Sequence, residues 1–187
     1  YRIEAQLASD LTLKVTTRAV LKASRSGPRV LEFAMSPRMR IASVSIDGRP
    51  AEFFQRESLR ESLLREGEGA FLVLAPEALE AGREYEIEFN CEGVIIQSAG
   101  NNVYFVGART SWYPNIPGAF ATYEVTFRYP AELGLALPGE ELSSGAEGDF
   151  KFTRRRIATP VRFVGFNLGD YDRVSVTRGP YRIEVFA

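Results

Sequence analysis

The chain has 187 residues, 45% of them hydrophobic and 25% charged, and a formal net charge of −1. That is the composition of an ordinary globular domain with a sizeable core. It lacks the basic excess that a phosphate backbone demands, so no nucleic acid partner is expected.

The opening Tyr1-Arg-Ile-Glu4 reads as a strand, and the closing run Tyr181 to Ala187 reads as another. Both are expected to lie within a longer polypeptide. Leu11, Leu13 and Val15 alternate with Thr12, Lys14 and Thr16, the period of a half-buried strand. Arg25-Ser-Gly-Pro28 breaks that pattern before the apolar run Val30 to Met35. Met39 to Ile46 ends at Asp47-Gly48, a short-range hairpin signal leading into Ala51 to Gln55. Glu57 to Leu64 could make two helical turns, and Pro76 to Ala81 one. Between them, Phe71 to Leu74 is continuously apolar, as in a strand buried on both faces. Tyr85, Ile87 and Phe89 alternate with Glu84, Glu86 and Glu88, one face buried and one in water.

The second half continues in the same style. Strands are expected at Val103 to Val106, Tyr123 to Tyr129, Leu133 to Leu137, Asp149 to Thr153, Val161 to Leu168 and Arg173 to Thr177. Turn residues punctuate them at Pro114 to Gly118, Pro138-Gly139 and Ser143 to Gly148. Short, regularly spaced strands predict an all-β, antiparallel β-sandwich. No linker divides the chain, so residues 1–187 are expected to form one domain. No run approaches the ~18 apolar residues of a membrane span.

The sequence contains no histidine and one cysteine, Cys91. That removes the common zinc ligand, the usual triad base and any intramolecular disulfide. Cys91 lies in a strand-like run and reads as a small buried apolar residue. No calcium-loop spacing is present among the carboxylates. Glu84, Glu86 and Glu88 could in principle supply a pair of acids for glycoside hydrolysis, but period-2 spacing makes them the wet face of a strand. Arg154-Arg155-Arg156 is the densest charge run. It reads as a solvated strand face, offset by Glu147 and Asp149.

The segment Asn101 to Gly118 gathers the only Trp with Tyr104, Phe105, Tyr113 and Ile116 among turn formers. Such a cluster can line a binding surface or plug one end of the sandwich. Candidate substrate or domain-interface residues are Tyr104, Phe105, Arg109, Trp112 and Tyr113. No catalytic or metal-binding residue is proposed.

Within that segment, Ser111-Trp112-Tyr113-Pro114, followed by Tyr123-Glu-Val-Thr-Phe-Arg-Tyr-Pro130, resembles the S-W-F-P…A-T-F…P signature of the aminopeptidase N-like zinc metallopeptidases, the gluzincins. Upstream, Ala81 to Gly93 is similar to their G-x-Y-x-l-x-i-x-Y-x-G strand. Downstream, Thr159 to Tyr171 is similar to their t-P-m…f-x-x-G-d-f stretch, and Gly179 to Ala187 to the strand leading out of their N-terminal domain. The resemblance implies a non-catalytic N-terminal sandwich packed on a downstream thermolysin-like domain and helping to shape its substrate cleft. It implies zinc and peptide substrate in the parent protein, with the zinc motif H-E-x-x-H beyond this chain. Two departures stand out. Asn115-Ile-Pro-Gly118 replaces the acidic residues usual after the motif, and Val103 to Arg109 lacks the Gln or Glu that holds a substrate amine. No substrate-binding residue is therefore carried over. The alternative reading is a free-standing carbohydrate- or protein-binding module using residues 101–118.

Overall fold

The computed structural model describes residues 1–55, 69–106, 111–179 and 181–186. Among them the chain forms strands and no helix. In chain order these are β1 (Arg2–Leu7), β2 (Leu13–Lys22), β3 (Val30–Met35), β4 (Met39–Ile46), β5 (Arg49–Pro50) and β6 (Glu52–Phe54). Then come β7 (Gly69–Leu74), β8 (Glu84–Gly93), β9 (Ile96–Gly100), β10 (Val103–Val106), β11 (Ala121–Pro130) and β12 (Gly134–Ala136). The last are β13 (Glu140–Glu147), β14 (Phe150–Val161), β15 (Asn167–Gly169), β16 (Arg173–Arg178) and β17 (Tyr181–Phe186).

An eight-stranded sheet, ordered β13-β14-β11-β1-β2-β8-β4-β5, forms one layer. Its pairs are antiparallel except β1 with β11, which run parallel. Such a pair needs a long crossover, and here the chain between Leu7 and Ala121 builds most of the molecule. The second layer comprises the sheets β3-β7-β6 and β12-β15-β10-β9. A two-stranded hairpin, β16-β17, lies beside them as a separate sheet.

The alternation read from the sequence sets the packing. Ile3, Leu13, Val15, Ile87, Phe89, Val125 and Phe127 point inward from the large sheet. The ring of Phe89 meets Phe33 at 4.9 Å and Phe71 at 5.9 Å, joining the large sheet to β3-β7-β6. Each fully buried aliphatic or aromatic side chain of this kind contributes about 1.5–3 kcal/mol. The outward face of the same sheet is a ladder of charges. Arg18 bridges Glu4 at 3.1 Å and Glu88 at 2.7 Å, and Glu124 accepts from Arg154 at 2.6 Å. Glu88 thus takes the role of a solvated, paired surface acid.

Asp47-Gly48 makes the turn its residues demand. Both have positive φ, 49° and 75°, and β4 pairs with β5 across them. The chain then changes layers: β6 pairs with β7 in the three-stranded sheet rather than extending β5.

Three expectations are corrected. Pro76 to Ala81 forms no helical turn, because its backbone donors are engaged elsewhere: Leu79 N–H on the Pro28 carbonyl and Ala81 N–H on the Ser26 hydroxyl, both at 2.9 Å. Ser143 to Gly148 is not a turn throughout. Most of it belongs to β13, an edge strand whose polar side chains suit an edge open to water. The expected strand Asp149 to Thr153 is only the first part of the longer β14, and the expected strand Val161 to Leu168 is broken: Val164 and Phe166 fill the core from a loop before β15 begins at Asn167. The expected helix Glu57 to Leu64 lies outside the described residues. No helix among the described residues is long and apolar enough to cross a membrane.

Candidate domain-interface site

The segment from Ser111 onward is stitched into the sandwich by its backbone. Ser36 N–H donates to the Ser111 carbonyl at 2.7 Å. Ala34 and Asn115 exchange both of their backbone hydrogen bonds, at 2.8 and 3.0 Å. Ser111-Trp-Tyr-Pro-Asn115 thereby runs along the edge of β3, which turns its central aromatics inward.

Trp112 and Tyr113 are both 0% exposed. The Trp112 indole N–H donates to the Val164 carbonyl at 2.7 Å, and its ring packs edge-on to Phe166 at 5.3 Å and against Phe127 at 6.0 Å. Burying an indole without a partner for its N–H is costly, and Val164 removes that cost. The Tyr113 hydroxyl accepts from Val164 N–H at 3.1 Å and meets the Tyr123 hydroxyl at 3.3 Å. Tyr1 stacks on Tyr123 at 5.2 Å. Burial pushes the Tyr113 hydroxyl well above its ordinary pKa, the hydrogen bond with Tyr123 adding to the effect. Burial likewise raises Tyr1, to about 12. Such phenols stay neutral, so this cluster holds structure and cannot supply a base near neutral pH.

The other candidates lie differently. Tyr104 and Phe105, on β10, are half-buried, and Ile116 is half-buried too. Arg109 lies outside the described residues. Phe163 stacks on Tyr113 at 6.1 Å while remaining 36% exposed, and Phe120 is 64% exposed. Neither Phe stands out in the sequence; Phe120 lies just past the turn Pro117-Gly118, and that position is its only signal. The aromatic segment therefore divides into a buried plug, Trp112 and Tyr113, and a partly exposed fringe.

The run Arg154-Arg155-Arg156 is not solvated throughout: Arg155 points to the opposite face from Arg154 and Arg156 and is 4% exposed. Its guanidinium reaches Glu141 at 3.1 Å, Glu184 at 3.2 Å and the Gly139 carbonyl at 3.1 Å. Glu147 instead meets Arg128, at 3.6 Å. A groove of about 1030 Å³ runs past Arg155, Glu184, Phe163 and Phe186. At this groove Arg155 is held between two counter-charges, Glu141 and Glu184.

No protein-family model matches the sequence, and no curated protein does. Solved structures do match in fold. A two-domain M1 zinc metallopeptidase bound to L-arginine superposes with a TM-score of 0.75 at 14% identity, over 98% of this chain and 44% of that one. A two-domain M1 zinc metallopeptidase bound to L-tryptophan gives 0.72 at 12% identity, over 98% and 45%. The M1 zinc metallopeptidase from Deinococcus radiodurans bound to a Tyr-Ser-Ala substrate gives 0.73 at 13%, over 98% and 45%. The chain has the fold of a domain of M1 zinc metallopeptidases and spans less than half the length of these neighbours.

The residues present do not fit the zinc that those names carry. Histidine is absent. The Cys91 thiol is buried, which pushes its pKa up to about 12, far from the thiolate a metal requires. No group of three or more Cys, Asp or Glu among the described residues is placed to hold a metal ion. No chemical step is derived through zinc in this chain.

Proposed function

We propose that the chain is the non-catalytic N-terminal domain of an aminopeptidase-like zinc metallopeptidase, folded as a single unit over residues 1–187. The observation that carries this reading is the agreement of two independent signals. The fold aligns over 98% of the chain with two-domain metallopeptidases, and Ser111-Trp-Tyr-Pro114 occupies the buried plug where a fold-defining motif belongs. The domain packs on a downstream catalytic domain of the same polypeptide and helps shape its substrate cleft. Zinc and the peptide substrate belong to that domain. Tyr104 and Phe105 border the contact, while Trp112 and Tyr113 hold the supporting segment in place.

The chain length shared with these neighbours favours this over a free-standing binding module: more than half of each neighbour lies outside the common fold. The coding sequence past residue 187 tests the proposal. It is expected to encode H-E-x-x-H with a second Glu further on, the spacing that holds one zinc. A stop codon directly after residue 187 would remove the proposal.

A further inference from the structure

The β16-β17 hairpin is amphipathic in the wrong direction for an isolated domain. Register pairs Val174 with Val185 and Val176 with Ile183, and Tyr181 continues the row opposite Arg178. Side chains alternate across a ribbon, so these apolar residues share one face. Each of Val174, Val176, Tyr181, Ile183 and Val185 is between 52% and 72% exposed.

The opposite face carries Arg173, Arg182 and Glu184, and it meets the body through Glu184, Arg173 and Phe186. Glu184 reaches Arg155 at 3.2 Å and also pairs with Arg173. Arg173 meets Glu141 of β13 at 3.5 Å, and the Phe186 ring packs edge-on to Tyr171 at 6.0 Å. The ion network therefore fixes the hairpin's position while its apolar face looks away from the body. A contiguous apolar patch facing outward marks a contact surface, and a two-stranded ribbon open on one face has little stability by itself.

We infer that this apolar face docks the second domain of the same polypeptide, an inference that rests on the two-domain reading above. Three observations select this occupant. The solved neighbours share the fold across 98% of this chain, so their alignment includes the hairpin, and each has more than half its length left over. The row is built of β-branched side chains without an acid, a surface suited to a packed sheet or helix face and unsuited to a charged peptide. Tyr181 and Arg178 at its end are residue types enriched at protein contacts.

Hydrogen exchange is compared between the 187-residue chain and the full-length polypeptide, each as wild type and as the Val176→Lys/Ile183→Lys double variant. In the full-length protein, amides of residues 174–178 and 181–185 exchange at least about tenfold more slowly than in the shorter chain. The double variant abolishes that difference. It leaves the shorter chain's exchange within about twofold, because both replaced side chains are exposed there. Equal exchange of the hairpin at both lengths, with a different surface slowed, overturns the hairpin assignment and leaves the two-domain reading standing. Equal exchange at every surface overturns both. Self-association of the 187-residue chain in light scattering, reversed by V176K/I183K, assigns the face to a second copy and overturns the intramolecular occupant.

Discussion

Trp112 concentrates the local physics of the chain in one side chain. It is fully buried, hydrogen-bonded to Val164 and ringed by Tyr113, Phe127 and Phe166. Trp112→Ala leaves a large void and an unpaired carbonyl, and is expected to cost about 3–5 kcal/mol in urea unfolding. Trp112→Phe keeps most of the apolar volume and should cost about half as much, chiefly through the lost N–H donor. If the Ala variant unfolds at the same urea concentration as wild type, the plug role is wrong. Its identity as a notable residue was legible in the sequence, as the single Trp among turn formers. Its partner Val164 was not, because that contact spans 52 positions and depends on how a loop after β14 returns to the core. Arg155 shows the same limit from the other side: a run of three arginines does not reveal that the middle one faces inward.

At the level of elements, period-2 alternation located β2 and β8 well, since one face of each is buried and the other wet. β13 escaped because an edge strand facing water carries no apolar alternation; its Ser143 to Glu147 part, Ser-Ser-Gly-Ala-Glu, reads as a turn. β16 and the Tyr181 run were read as strands, but alternation alone cannot tell which face meets the body. That was decided by the pairing of Glu184 with Arg155 and Arg173 across the chain. The same pairing gives a pH dependence. Burial opposes ionisation of Glu184, yet Arg173 and Arg155 together hold its carboxyl below the usual range. A carboxylate with a depressed folded pKa stabilises the fold fully above its unfolded value, about 4.3, and loses that contribution as the pH falls further. Glu184→Gln is therefore expected to lower stability by about 1 kcal/mol at pH 7. The gap from wild type should narrow as the pH drops below about 4.3. A gap that stays constant down to pH 3 would show that the ion pair contributes nothing.

Across the whole molecule, the layering follows from where apolar area is available: one large sheet buries a single face, and two small sheets cover it. Its outer face stays in water and is held by cross-strand ion pairs such as Arg18 with Glu88, each worth at most ~1 kcal/mol. All-β architecture was therefore readable from the sequence, while the parallel β1-β11 pair was not, since it joins segments more than a hundred positions apart. The candidate site was legible only in part: the aromatic segment stood out, but which face of the hairpin looks outward is set by long-range ion pairs that the sequence does not reveal. Histidine is absent, burial pushes the Cys91 thiol up to about 12, and no group of three or more Cys, Asp or Glu among the described residues is placed to hold a metal ion, so zinc is expected in the second domain of the proposed parent. Metal analysis after exhaustive dialysis tests that division most directly. The account predicts about one zinc per full-length polypeptide and none retained by the 187-residue chain; stoichiometric zinc in the 187-residue chain, or none in the full-length protein, would contradict it.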